Sequence, residues 1–184
     1  MTETLPDENK ALIQRFFDQV VNQRDVDSLS SFVSRDNGGG TCGGTAFREL
    51  VTSPALRGGR FGPSAAGGPA KEEPVDVDAW QEFTKHVLEA FPDLRVDIDW
   101  MVAEGDTVVV RWSGRPTHRG EFLSTPPTGR KVRLSSVDVF TVQDGQIRSV
   151  RSHPDTARVL NSMGHLPRTQ LVTTLVQDEA DDDE

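Results

Sequence analysis

Apolar positions along this chain follow two different periods, and the change between them divides it. Between residues 8 and 23, Leu12, Ile13, Phe16, Phe17, Val20 and Val21 recur in pairs four apart, while Gln14, Arg15, Asp18 and Gln19 fall elsewhere. That spacing gathers the apolar residues into one stripe and predicts an amphipathic helix. A shorter helix is expected from Val26 to Val33, with Leu29, Phe32 and Val33 inward and Asp25 as its N-cap. Asp78-Ala79-Trp80-Gln81 has the form of a capping box; Trp80, Phe83, Val87, Leu88 and Phe91 then make a second stripe, which Pro92 ends. The aromatic spacing of that stripe is what core packing alone requires.

After Pro92 the period falls to two. Leu94, Val96, Ile98 and Trp100 alternate with Arg95, Asp97 and Asp99, and a Glu104-Gly105-Asp106 turn leads to a strand over Thr107 to Trp112. Val132 to Val142 predicts a long strand, and Asp144-Gly145 turns tightly into Gln146 to His153. Helices first and an antiparallel meander after them predict an α+β fold, with a curved antiparallel sheet packed against N-terminal helices. A sheet bent around a helix layer leaves a concave side that side chains do not fill. A pocket between the sheet and the helices is therefore expected, and that pocket is the expected site.

Composition modifies this picture in the middle and at the end of the chain. Residues 36–74 are rich in Gly, Pro and Ala, with a helical hint only at Thr45 to Val51. They read as a flexible insertion, with an ordered lid as the alternative, within a single domain over residues 1–166. Lacking a phosphate-loop lysine and a strand-glycine-helix context, these glycines are not a nucleotide site. In residues 167–184, Leu171, Val172 and Val176 allow a short strand, and the acidic end from Gln177 to Glu184 is expected to be disordered.

Asp and Glu number 29 against 20 Lys and Arg, a formal charge of −9 that repels phosphate backbones and argues against nucleic-acid binding. No apolar run approaches bilayer length, and the acidic start Met-Thr-Glu-Thr-Leu-Pro-Asp-Glu has no secretory core segment. A cytoplasmic protein without membrane association is expected. The single cysteine, Cys42, rules out an internal disulfide and a cysteine-based structural zinc site, and no acid, base or cation near it in sequence activates it.

The candidate chemistry gathers around Thr117 to Arg130, where His118 and Glu121 stand three apart ahead of a Pro-Pro-Thr-Gly turn, between two apolar runs. A polar interruption of this kind suits a pocket mouth, with His118 as a wall residue or a catalyst. Asp138 lies mid-strand between Val137 and Val139, with Arg133 as its partner if both point inward. Asp155 has two readings: N-cap of an Asp-Thr-Ala-Arg-Val-Leu helix, or functional acid. His86 falls on the polar side of its helix.

Several motifs occur in order: Phe91-Pro92-Asp93-Leu94, Ala103 to Trp112, Thr117-His118-Arg119-Gly120-Glu121-Phe122, Pro126-Pro127-Thr128-Gly129-Arg130 and Asp144-Gly145-Gln146-Ile147. Asp155 and Leu160 to Gly164 follow. The succession resembles the SnoaL-like polyketide cyclases (ester cyclases) of the nuclear transport factor 2-like superfamily, over residues 8–35 and 76–164. The resemblance implies an α+β cone around a deep, largely apolar cavity, assembled as a homodimer or homotetramer. It implies ring closure by intramolecular aldol condensation without a metal or organic cofactor. It places the acid/base aspartate at Asp155 with His118 beside it. The expected partner is a small-molecule carbonyl compound, with Trp112, Glu121, Phe122, Asp138, Arg151 and His153 as its binding residues.

A carboxylate can take a proton next to a carbonyl and return it to the new alkoxide if burial lifts its pKa towards working pH. Two departures from the family pattern stand out. Ser34-Arg35-Asp36-Asn37 replaces a His-containing segment after the second helix, and Arg151-Ser152-His153-Pro154 replaces a frequent tryptophan before the aspartate. Two other readings stay open. One is a non-catalytic ligand-binding or dimerisation module on the same cone; the other is an epoxide hydrolase using Asp138, Arg133 and Asp155 around a water.

Overall fold

The first apolar stripe becomes a long helical rod in the computed structural model, which describes residues 5–34, 77–123 and 125–164. Helix α1 runs over Leu5–Phe16 and continues as a π-helical stretch, Phe17–Asn22. The wider winding lets the adjacent Phe16 and Phe17, and then Val20, all stay buried. A 3-10 turn, Val26–Ser28, leads into the short α2, Leu29–Phe32. Asp25 precedes that turn without capping it through its side chain, which accepts a hydrogen bond from Gln19 instead. The expected helix ends one residue early because Val33 turns extended and bridges Ile147.

Helix α3, Val77–Ala90, carries the second stripe. Strands β1 (Asp97–Glu104), β2 (Thr107–Gly114), β3 (Leu134–Gln143) and β4 (Gln146–Pro154) form one antiparallel sheet in the order β1-β2-β3-β4, and α4, Thr156–Met163, follows. The α+β class and the meander are as the periodicity predicts. The strand starts differ. Leu94 and Val96 are buried outside the sheet because the Asn22 side chain satisfies Val96, donating to its carbonyl at 3.0 Å and accepting from its N–H at 2.8 Å. Val132 likewise donates to Pro116 at 2.8 Å, two residues before β3 begins.

Phe16 joins the two layers. Its ring lies 5.2 Å from Phe17 and Trp80 and 6.0 Å from Phe32 and Phe140, so one side chain touches α1, α2, α3 and β3. Pleating sends Val108 and Val110 of β2 and Ser136, Asp138, Phe140 and Val142 of β3 to this inner side, where all are buried. Across the strands, Val110 faces Asp138, which faces Ser152; Trp112 faces Ser136, which faces Pro154.

The stretch from Thr117 to Arg130 is tied to the end of α3. The Arg119 and Gly120 amides both donate to the Ala90 carbonyl, at 2.9 and 3.0 Å. The Asp93 carboxylate accepts from the Thr117 amide at 2.6 Å, the Thr117 hydroxyl at 2.7 Å and Lys131 at 3.0 Å. Those donors, the Thr117 amide first, hold its pKa well below the usual carboxylate range. Arg24 closes the same helix end by donating to the Pro92 and Leu88 carbonyls. The Gly-rich stretch with Cys42, the tail and His165 lie outside the described residues.

A side chain at residue 120 would collide with α3: a Cβ there would sit 2.8 Å from the Ala90 Cα and from the Glu89 carbonyl oxygen. Gly120→Ala is therefore expected to lower unfolding stability by about 1–3 kcal/mol in urea denaturation. Unchanged stability would show that the loop does not approach the helix this closely.

Candidate active site

Between the helices and the inner face of the sheet lies a pocket of about 160 Å³. Its walls are Phe16, Phe17 and Val21 of the α1 rod, Trp80, Phe83, Thr84 and Val87 of α3, and the inward residues of β2, β3 and β4. Phe122 and Leu123 close one side, and Thr156 and Val159 of α4 another. Among the described residues on this wall, Asp138 is the one ionisable side chain.

Asp138 is buried but hydrogen-bonded at both oxygens. The Trp112 indole N–H donates to Oδ2 at 2.6 Å and the Ser136 hydroxyl to Oδ1 at 2.6 Å. Burial raises its pKa above the usual aspartate value, against the opposing hydrogen bonds from Ser136, Trp112 and Ser152 and the charge of His153. Desolvation dominates because the rest of the wall is almost wholly hydrocarbon, which solvates a carboxylate poorly. The carboxyl is held on an inner strand of the sheet, with neighbours that fix its orientation and a cavity before it.

The expected site residues separate into two groups. Trp112, Phe122 and Asp138 line the pocket; His118, Glu121, Arg151, His153 and Asp155 do not. Glu121 is exposed. Asp155 is exposed at the head of α4, where its side chain accepts from the Arg158 amide at 3.1 Å and pairs with the Arg158 guanidinium at 3.3 Å. The N-cap reading of this residue is the geometry observed.

His118 is fully buried in the loop, tilted against Phe91 with ring centroids 5.4 Å apart. Phe91 in turn packs edge-on against Phe122 at 4.9 Å, so this ring stack backs the pocket wall. The Thr128 hydroxyl lies 3.1 Å from His118 Nδ1, and the Thr128 amide donates to the same nitrogen at 3.4 Å. An amide can only donate, so Nδ1 accepts and a neutral ring keeps its proton on Nε2. The backbone of His118 also bonds to Arg130 and Gly129, each at 2.9 Å. These bonds fasten the Pro-Pro-Thr-Gly turn.

Arg151 and His153 miss the pocket because of a bulge. The Asp144-Gly145 hairpin pairs Gln143 with Gln146 and Val142 with Ile147, but then Thr141 pairs with Ser149, one residue out of step. Without that extra residue Arg151 would lie opposite Asp138; with it, Ser152 does. A one-residue slip reverses which side chains face inward, so Arg151 and His153 are exposed on the outer side. Arg133 is exposed as well and is not the partner of Asp138, so the Asp–Arg–Asp set of an epoxide hydrolase is not assembled. His86, assigned to the polar side of its helix, is half-buried and stacks on Phe122.

Sequence reasoning missed Ser136, Ser152 and Thr84. Ser136 was legible in principle, since it stands two residues before Asp138 on the same strand face. Ser152 was hidden by the bulge. Thr84 lies on the inward stripe of α3 with its hydroxyl donating to the Trp80 carbonyl, a pattern that looks polar only on paper.

Comparison with known proteins agrees with this architecture. A candidate SnoaL-like polyketide cyclase from Jannaschia sp. CCS1 superposes with a TM-score of 0.64 at 21% identity, covering 91% of this chain and 99% of that one. A candidate hydroxylase, AclR from Streptomyces galilaeus, gives 0.67 at 21% identity over 95% and 94%. A candidate polyketide cyclase, IdmH from Streptomyces antibioticus, gives 0.61 at 22% identity over 85% and 98%. These identities speak to fold alone, and the fold carries more than one assigned chemistry. A search of curated protein sequences returns no significant match. The family model described as SnoaL-like polyketide cyclase matches residues 65–163, more than half of the chain. This protein belongs to the SnoaL-like polyketide cyclase family.

Proposed function

We propose that the protein is a cofactor-independent acid/base enzyme that cyclises or isomerises a small carbonyl compound, with Asp138 as the group that moves the proton. The observation behind this reading is a buried carboxyl facing an otherwise hydrocarbon pocket. Asp138 takes the proton from a carbon next to the substrate carbonyl, and the C–H electron pair becomes an enolate. In an aldol closure the enolate carbon bonds to a second carbonyl, and the resulting alkoxide recovers the proton from Asp138. In an isomerisation the same proton returns to a different carbon. A raised pKa serves both halves, because it makes the carboxylate a stronger base and keeps the acid able to protonate an alkoxide.

In this reading the proton step moves from Asp155 to Asp138, and the two residues singled out by the resemblance become supports. His118 fastens the turn behind Phe91 and Phe122, and Asp155 starts the helix that brings Thr156 and Val159 to the pocket. The finer chemistry draws on the family, whose name describes polyketide cyclisation.

A second copy of the chain is the proposed partner. Trp100 and Val102 of β1 are 46% and 57% exposed, and Val102, Val109 and Val139 lie side by side across β1, β2 and β3 on the outer face. An apolar stripe of this kind on a sheet suits a two-fold contact with itself. A mass twice that of the 20.2 kDa chain is expected by light scattering, reverting to monomer in Trp100→Glu/Val102→Arg. A monomeric native protein would remove this partner.

Asp138→Asn is expected to cut turnover of an accepted carbonyl substrate by about 10²–10⁴-fold with the fold intact. Wild-type kcat/KM should rise with pH through the raised Asp138 pKa, since the base form starts the reaction. Unchanged turnover in the variant would sink the assignment, and saturable binding with no product from any carbonyl substrate would favour a ligand-binding module.

The same group sets a pH dependence of stability. Its folded pKa is raised, so its contribution is fully present below the unfolded value of about 4 and is lost as pH rises through the folded pKa. The stability of the wild type relative to Asp138→Asn should therefore fall with rising pH in that window, measured by urea midpoints. A difference that stays level or grows would mean that the carboxylate is not penalised by burial.

A further inference from the structure

The chain carries a formal charge of −9, yet four of its cationic side chains converge on one open surface cleft. We propose that this cleft holds residues 177–184 of the same chain, whose carboxylates meet Arg130, Lys131, Arg133 and Arg158.

Three separate segments build the cleft. Arg130 and Lys131 follow the Pro-Pro-Thr-Gly turn, Arg133 directly precedes β3, and Arg158 comes from α4 with Asn161 and Ser162 beside it. None of these residues lines the pocket that holds Asp138, so the cleft is a separate site. The end of α4 shapes it. Gly164 caps the helix with a φ of 101°, and a Cβ there would collide with the Arg130 guanidinium. Arg130 thus lies against a helix C-terminus, where the partial negative charge of the last carbonyls favours a cation.

Two of the four charges are met by acids nearby: Lys131 pairs with Asp93 at 3.0 Å and Arg158 with Asp155 at 3.3 Å. Arg130 and Arg133 pair with no acid among the described residues. Each keeps a planar fork of donors that matches a carboxylate. Like charges gathered in one cleft repel, and an anion placed among them relieves that repulsion.

The chain supplies such an anion itself. Residues 177–184 read Gln-Asp-Glu-Ala-Asp-Asp-Asp-Glu, six acids and no base. Gly164 lines the cleft, and twelve residues separate it from Gln177. A tether of that length spans about 40 Å at most, enough to return to the cleft, and gives the acids an effective concentration there on the order of mM. A free anion arrives from bulk solution without that advantage, and the net charge of the chain repels it. One exposed ion pair does little alone, but several formed on one tether act together.

Carbodiimide coupling of the full chain at low salt, followed by proteolysis and mass spectrometry, tests this, because it joins a lysine to a carboxylate in contact with it. Lys131 is expected to couple to an acid within residues 177–184 and also to Asp93, the second product serving as an internal reference. Arg133→Gln, and separately Asp181→Asn/Asp182→Asn/Asp183→Asn, are expected to cut the tail product about fivefold relative to that reference. Screening by about 0.5 M sodium chloride should do the same. In an equal mixture of unlabelled and heavy-nitrogen protein, the two halves of each tail product should carry the same label. Absence of the tail product, an unchanged yield in both variants, or halves of mixed label, which would mean a neighbouring copy's tail, overturns the proposal. Loss of the product in inorganic phosphate, at a low ionic strength where chloride preserves it, also overturns it, since the cleft would then prefer a free anion.

Discussion

A carboxyl buried in hydrocarbon survives only where donors meet it, and Asp138 is met at both oxygens, by Trp112 and Ser136. That arrangement constrains much of the molecule. Trp112 reaches Oδ2 because β2 pairs with β3 in a register that sets it opposite Ser136. Ser152 stands across from Asp138 because β4 carries a bulge. The helices contribute the opposite wall, Phe16 and Phe17 from α1 and Trp80 and Phe83 from α3, and exclude the water that would otherwise solvate the charge. The high pKa and the apolar pocket are thus two results of one packing arrangement.

The fold was legible wherever periodicity was strong. Paired apolar residues four apart announced α1, the Trp80-to-Phe91 stripe announced α3, and alternation after Pro92 announced the sheet. What periodicity did not show was where a side chain replaces a sheet partner. Asn22 satisfies Val96 from 74 residues away, which shortens β1 without any local signal. The site was less legible for the same reason. Asp138 was read as a mid-strand candidate, yet its partners are set by inter-strand register, and a single extra residue in β4 decides between Ser152 and Arg151.

The motifs that carried the family resemblance place Leu94, Trp112 and Phe122 on the pocket wall, and several of their other residues make structural contacts. Thr117 and Asp93 bond to each other, Gly120 allows the loop to touch α3, and His118 holds Thr128 and the turn beyond it. Such residues place Phe122 and Leu123 against the pocket without touching what enters it. Motifs of this kind identify the fold and the family well, and say less about the reaction. The proposed chemistry rests instead on a carboxyl that no motif marks, on a strand whose neighbours look unremarkable in sequence.

With its pKa raised by burial, Asp138 is expected to hold a proton at a pH where an ordinary aspartate has lost it. Difference infrared spectroscopy during an acid-to-neutral titration reads this directly, through the C=O stretch of a protonated carboxylic acid. A carboxylic-acid band is expected that persists above the usual aspartate range and is missing from Asp138→Asn. A wild-type spectrum whose every carboxyl band vanishes in the ordinary range, with no difference in the variant, would contradict it.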